Sequence, residues 1–172
     1  MRFVKFTLLG LIGITLTFIS LGFFHSNFQY ENQIEVDASV EKSYATFIND
    51  SLASQWLIGY VGNEVLSGAP LRPGSRFLMK FEQEGQTTEM IEELKEIKEN
   101  EKFIFDLETS FFTRTVEVYF EGNNEKSTIT AYSTMTGSNI LYQSMLYILK
   151  SGLQKQSQTN YDLLKELIEK QN

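Results

Sequence analysis

Residues 28–49 read Phe28-Gln29-Tyr30-Glu31-Asn32-Gln33-Ile34-Glu35-Val36-Asp37-Ala38-Ser39-Val40-Glu41-Lys42-Ser43-Tyr44-Ala45-Thr46-Phe47-Ile48-Asn49, and two periodicities meet inside them. Phe28, Tyr30, Ile34 and Val36 share one parity; Gln29, Glu31, Gln33, Glu35 and Asp37 hold the other. Successive side chains of a strand point to opposite faces, so this pattern predicts a half-buried strand. After Asp37-Ala38-Ser39 the spacing changes, and Val40, Tyr44, Phe47 and Ile48 recur at helical intervals. Ser39 suits the N-cap because its hydroxyl can accept a bond from a free amide of the first turn. Glu41 sits favourably near the positive end of that helix.

Downstream, a short helical turn is expected over Ser51–Trp56 and a strand over Tyr60–Leu66. The loop Gly68-Ala69-Pro70-Leu71-Arg72-Pro73-Gly74 follows. It lacks the Gly-Lys-Ser/Thr ending of a phosphate loop and reads as a plain connection. Phe77, Met79 and Phe81 alternate with Arg76, Lys80 and Glu82, and Glu84-Gly85 makes a turn. Phe103, Phe105 and Leu107 alternate with Lys102, Asp106 and Glu108; Val116, Val118 and Phe120 alternate with Glu117, Tyr119 and Glu121. Gly122-Asn123-Asn124 is a hairpin signal, and Ser127–Thr134 is a Thr-rich strand. In 89–102 the spacing of Met90, Ile91, Leu94 and Ile97 slightly favours a helix. From Asn139 a helix of roughly 30 residues is expected, with the apolar stripe Leu141, Met145, Ile148, Leu149, Leu153, Tyr161, Leu164, Leu167 and Ile168. Its middle, Gln154–Asn160, is almost wholly polar. One long helix closing a run of antiparallel strands gives an α+β class, with the sheet curled around the helix.

Upstream, the chain changes character at about position 26. Phe6 to Phe24 is unbroken and uncharged, roughly 19 residues or about 28 Å of helix, close to the hydrocarbon thickness of a bilayer. The run is longer than a signal peptide's apolar region and ends in Leu21-Gly22-Phe23-Phe24-His25-Ser26, which offers no small-x-small cleavage site. The reading is an uncleaved, single-pass anchor at the cell membrane over 1–26 and one domain over 27–172. Arg2 and Lys5 keep the N-terminus cytoplasmic and place the domain on the outer side. The whole chain has 15 basic and 22 acidic residues, a charge of −7. Without Arg2 and Lys5 the remainder has 13 basic and 22 acidic residues, a charge of −9. Such a surface repels phosphate backbones, which argues against nucleic-acid binding.

The run Ile34-Glu35-Val36-Asp37-Ala38-Ser39-Val40-Glu41, then Phe47, Trp56-Leu57-Ile58-Gly59, Val65-Leu66-Ser67-Gly68 and Pro73-Gly74-Ser75-Arg76-Phe77, resembles the START-related, polyketide-cyclase-like superfamily (SRPBCC). The likeness spans nearly all of Phe28–Ile168. Val40 departs from it, standing where many relatives place a proline. The resemblance implies the helix-grip fold, in which a curved antiparallel sheet wraps the long C-terminal helix around a deep apolar cavity. It also implies a strand over Glu89–Ile97. Members bind lipids, sterols, quinones, polyketides or plant hormones, and a minority are enzymes. With that fold, strand parity nominates Phe77, Met79, Phe81, Phe103, Phe105, Val116, Val118 and Phe120 as cavity lining, facing Met145, Leu149 and Leu153 of the helix.

The sole histidine, His25, precedes the domain, which excludes a His-containing triad within the fold. No Cys and no H-E-x-x-H motif is present, so no metal and no cofactor is implied. The carboxylates Glu89, Glu92, Glu93, Glu96, Asp106 and Glu108 are expected mostly on solvated strand faces. Arg114 shares the parity of Val116 and Phe120, yet its place near a strand end favours an outward or salt-bridged side chain. Trp56 suits either the cavity mouth or ordinary packing. The leading expectation is a membrane-anchored protein that binds a hydrophobic small molecule or lipid. Its alternatives are a cyclase- or hydratase-like enzyme using carboxylates or Tyr, and a ligand-free interaction module whose phenylalanines fill the cavity.

Overall fold

In the computed structural model, which describes residues 2–171, α1 (Arg2–Phe24) leads into β1 (Phe28–Val36), α2 (Val40–Phe47) and α3 (Asp50–Trp56). Six strands follow: β2 (Tyr60–Ser67), β3 (Arg76–Gln83), β4 (Gln86–Lys98), β5 (Lys102–Glu108), β6 (Phe112–Gly122) and β7 (Ser127–Gly137). The chain closes with α4 (Ile140–Lys170). Met1 and Asn172, the outer ends of the two expected segments, lie outside the described residues. The strands form one antiparallel sheet in the order β1-β7-β6-β5-β4-β3-β2, curved around α4. This is the helix-grip arrangement.

The local signals act as their chemistry dictates. Ser39 Oγ accepts from Lys42 N at 3.3 Å, and Asn139 Oδ1 caps α4 by accepting from Leu141 N and Tyr142 N. Glu84 and Gly85 both adopt positive φ, 52° and 77°, the geometry of a tight hairpin turn that suits the twist of β3 and β4.

Spacing alone favours a helix over 89–102, and the structure places strand β4 there. β4 pairs with β3 on one side and β5 on the other, so its backbone groups are satisfied by ladders on both edges. A bulge between Leu94 and Glu96 explains the misleading pattern. It leaves Leu94 and Ile97, three apart, on the same side of the sheet, which imitates a helical interval.

The polar middle of α4 lies along the outer edge of β1. Gln154 Nε2 donates to Glu31 O at 3.1 Å, and Gln158 Nε2 donates to Gln33 O at 3.2 Å. In return, Asn32 Nδ2 donates to Gln154 O and to Gln158 Oε1. These side chains satisfy carbonyls that an edge strand would otherwise present to solvent or to another chain.

That attachment fixes which face of α4 turns inward. Leu146, Ser157, Tyr161, Leu164 and Ile168 are buried, and Leu153 packs partly inward. Leu164 and Ile168 sit with Val118, Ile129 and Ala131 at the centre of the main core, all without accessible surface. Met145 and Leu149 belong to the opposite outcome: with Leu141 and Ile148 they are exposed on the N-terminal half of the helix. The apolar stripe read from the sequence therefore joins two faces, one buried and one not.

α1 packs on that same half of α4. Gly22 N donates to Ser144 Oγ at 2.9 Å, and the His25 ring stacks on Tyr147 with centroids 3.9 Å apart. Gly22 lies so close to the Ile140 carbonyl that a β-carbon there would collide with it. Residues 5–17 of α1 are exposed.

Leu164→Ala should cost about 2–5 kcal/mol in chemical denaturation, as a buried large-to-small change does. Ile148→Ala on the same helix should change stability by less than about 0.5 kcal/mol. Equal losses at the two positions would contradict this placement of α4.

Candidate ligand cavity

Aromatic rings crowd one end of the space between the sheet and α4. Phe47 meets Trp56, Phe103 and Phe120 with centroids 5.4–5.5 Å apart, and Tyr44 meets Phe120 at 5.2 Å. Past this cluster the sheet and helix diverge and leave a cavity of about 400 Å³. It is walled by β3–β6 on the concave side, by α3 and the loop at Pro70 and Leu71, and by Leu153, Ser157 and Tyr161 of α4.

One row of side chains crosses this wall from strand to strand. Phe77 pairs with Glu92, Glu92 with Leu107, Leu107 with Arg114 and Arg114 with Met135. Directly opposed residues of antiparallel strands face the same way, and all five line the cavity. The next row, Arg76, Glu93 and Asp106, faces out and carries ion pairs: Arg76–Glu93 at 3.8 Å, Lys95–Glu93 at 2.6 Å and Lys95–Asp106 at 3.3 Å.

Seen from the expected lining, Phe77, Met79, Phe81, Phe103, Phe105, Val116 and Leu153 all border the cavity. Val118 and Phe120 do not: they lie farther along β6, inside the packed cluster beneath α2 and the end of α4. Met145 and Leu149 are exposed, as above, because the edge attachment of α4 turns them outward.

The polar members of the row were not expected inside. Glu92 shares the parity of Met90 and Leu94 on β4 and is half-buried toward the cavity. Burial first, and then the negative charge of Asp50, push its carboxyl up from 4.5 to about 7. Burial likewise raises the Tyr60 hydroxyl to about 12, with Asp50 and Glu92 adding to it. The Tyr161 hydroxyl is raised by burial, against an opposing pull from Arg114. Both tyrosines are protonated at neutral pH.

Arg114 turns inward rather than to solvent or a carboxylate. Its Nε and Nη2 donate to Ser133 Oγ at 3.2 and 2.9 Å, and Nη2 donates to Ser157 Oγ at 3.3 Å. The guanidinium stands 5.3 Å from the centre of the Tyr30 ring. Neutral hydroxyls on β7 and α4 accept from Nε and Nη2 and hold the half-buried side chain against the cavity wall, leaving Nη1 without a protein partner among the described residues. Trp56 also borders the cavity, and its buried indole Nε1 has no acceptor among the described residues. No three His, Cys, Asp or Glu side chains gather as metal ligands among the described residues. Chemically, the space is a largely apolar chamber with one cation, Arg114, two carboxyls, Asp50 and Glu92, and several uncharged polar groups.

A family model described as Activator of Hsp90 ATPase homolog 1-like protein matches residues 37–169. No curated protein matches the sequence. Among solved structures, Ara h 8.0201 is similar with a TM-score of 0.69 at 12% identity, over 83% of this chain and 97% of that one. SA2116, a protein of unknown function from Staphylococcus aureus, gives 0.65 at 16% identity, over 84% and 96% of the two chains. The di-domain ARO/CYC StfQ from the steffimycin biosynthetic pathway gives 0.66 at 14% identity, over 84% of this chain and 51% of that one. At such identities the likeness establishes the fold alone.

Glu92 supplies a pH signature. Its folded pKa lies above its ordinary value, so folding takes up a proton between about pH 4.5 and 7. The cost of the buried charge is full above about pH 7 and fades as pH falls toward 4.5. Glu92→Gln should therefore stabilise the protein at pH 8 relative to the parent, with the gap narrowing as pH falls toward 4.5. Its slope with pH cannot exceed about 1.4 kcal/mol per unit. Urea unfolding of parent and variant across this range checks it; a gap independent of pH would contradict the burial of Glu92.

Proposed function

The chain belongs to the Activator of Hsp90 ATPase homolog 1-like family within the SRPBCC superfamily, and from this we propose that it holds an apolar small molecule in its internal cavity while tethered to a membrane by α1. The observation that carries the binding reading is the cavity itself. A protein interior normally packs to crystal-like density, and voids larger than a water are few. A chamber of about 400 Å³ walled mainly by aliphatic and aromatic side chains falls within the range of about 300–1,000 Å³ for small-molecule sites. Each Å² of apolar surface that a guest withdraws from water contributes about 25 cal/mol.

Tethering rests on α1. It is long and apolar enough to cross a bilayer. Its hydroxyls are satisfied internally: Thr15 Oγ1 bonds Leu11 O, Thr17 Oγ1 bonds Gly13 O and Ser20 Oγ bonds Thr17 O. No polar side chain among these three would enter the hydrocarbon unpaired. The contacts of Gly22 with Ser144 and of His25 with Tyr147 run in the same direction along both helices, so α1 projects past the N-terminal end of α4. The exposed Leu141, Met145, Ile148 and Leu149 lie on the half of α4 that α1 contacts, where the lipid interface would cover them. Residues 27–172 are the ligand-binding domain in this reading, on the outer side of the membrane.

One observation favours a second reading, an enzyme in the same chamber. Glu92, with a pKa of about 7, is poised to act as a general acid. In that case Glu92→Gln would abolish turnover while leaving ligand affinity in place.

The binding reading is tested with Leu107→Trp, at the centre of the cavity row. In the domain 27–172, the parent should take up a neutral apolar dye such as N-phenyl-1-naphthylamine saturably. The variant should lose uptake at less than about 1 kcal/mol of stability. If the interior were filled, the parent would bind no dye and the variant would suffer an overpacking cost of about 1–3 kcal/mol. The tether is tested by a C-terminal reporter active only in the cytoplasm: silence is expected, and a strong signal would overturn the orientation.

A further inference from the structure

Arg114 is an unneutralised charge inside the chamber. A guanidinium cannot shed its proton in a protein, and one half-buried in an apolar wall gives up hydration that a counter-ion would replace. Every side-chain acceptor it reaches among the described residues is a neutral hydroxyl, Ser133 or Ser157. Its Nη1 donors find no protein acceptor there, and no carboxylate lies within ion-pairing distance among the described residues. Glu92 faces the same space, but two strand spacings, about 10 Å of backbone, separate it from Arg114.

The cavity wall also holds a buried orphan. The Trp56 indole N–H is a donor without a partner in a residue only 6% exposed, and Trp56 packs against Tyr161 with ring centroids 6.3 Å apart. Buried polar groups in native proteins are nearly always satisfied, so each such exception calls for an explanation. Arg114 and the Trp56 ring both border the cavity, while the walls around them are largely apolar.

We infer that the ligand of this cavity is an apolar molecule ending in a single carboxylate, with that carboxylate on the Arg114 guanidinium. This rests on the ligand-binding reading of the cavity. One guanidinium neutralises one charge. A doubly charged phosphate would leave an excess negative charge beside Asp50 and Glu92, in a domain already at −9. A neutral alcohol would leave Arg114 uncompensated. The apolar body lies along Phe77, Met79, Leu107 and Met135, which border the same space.

Trp56 is the only tryptophan in the chain and reports on the cavity it borders. The full chain in phosphatidylcholine vesicles is titrated with decanoate, decanol and decyl phosphate while Trp56 emission is followed. Decanoate should produce a saturable change at an affinity at least about tenfold tighter than decanol, as expected for a charge-assisted bond replacing a neutral one. Arg114→Gln should bring decanoate down to the affinity of decanol, and Arg114→Lys should retain part of the difference because it keeps charge without the fork. If Arg114→Gln fails to fold, the acid-to-alcohol ratio of the parent and the Arg114→Lys value decide. Equal affinities for acid and alcohol in the parent would overturn the carboxylate assignment and leave the binding reading standing. Tighter binding of decyl phosphate would overturn the single-charge argument. No response of Trp56 to any of the three would overturn the binding reading together with this inference.

Discussion

Everything in this structure depends on the hydrogen bonds that tie the polar middle of α4 to the free edge of β1. Gln154 and Gln158 give their amides to the Glu31 and Gln33 carbonyls, and Asn32 returns the bonds. A helix this long needs a surface to lie against, and most of its stability comes from what it packs on. Here one polar segment serves as the pivot. On its C-terminal side Tyr161, Leu164 and Ile168 enter the core; on its N-terminal side Leu146 packs with Phe28, Tyr30 and Met135, while Ser144 meets α1. Between them, Leu153 and Ser157 face the hollow part of the sheet. The same bonds cover an edge that would otherwise invite pairing with another chain.

The hollow is a consequence of where large side chains fall. Phe47, Phe103, Phe120, Tyr44 and Trp56 concentrate at one end of the concave face and fill it. The neighbouring row then places Glu92 and Arg114 where two more apolar residues would have closed the core. Each ionisable group resists close apolar packing because its desolvation must be offset by bonds. Arg114 finds Ser133, Ser157 and the Tyr30 ring; Glu92 shifts toward its neutral form. An apolar chamber with a fixed cation and a proton-holding carboxyl is equipped to orient a guest as well as enclose it.

Much of this was legible in the sequence. Alternation in Phe28–Val36, Phe77–Phe81, Phe103–Leu107 and Val116–Phe120 reads directly as strands, because one face of each is buried and the other is wet. Residues 6–24 read as an apolar helix for the equally simple reason that nothing polar interrupts them. What could not be read was how a long helix rotates against its sheet. Leu141, Met145, Ile148 and Leu149 are as apolar as Leu164 and Ile168, and the face that turns inward is the one on which Leu146, Tyr161, Leu164 and Ile168 line up while Gln154 and Gln158 reach β1. Glu92 was hidden by a bulge at Leu94–Glu96 that gave its strand a helical rhythm. Once β4 is a strand, the parity of Met90, Glu92 and Leu94 places it inside. Arg114 carried its signal openly, sharing the parity of Val116. The general preference for solvated arginines outweighed it, since Ser133 and Ser157 lie 19 and 43 residues away in sequence.

The most direct test of the account is organic extraction and mass spectrometry of the full chain purified from the cells that produce it, compared with Leu107→Trp prepared in the same way. The account predicts that the parent is enriched in an apolar monocarboxylic acid, at up to one per chain, and that the filled variant is not. Extracts of both proteins that match each other, with no species enriched in the parent, would contradict it.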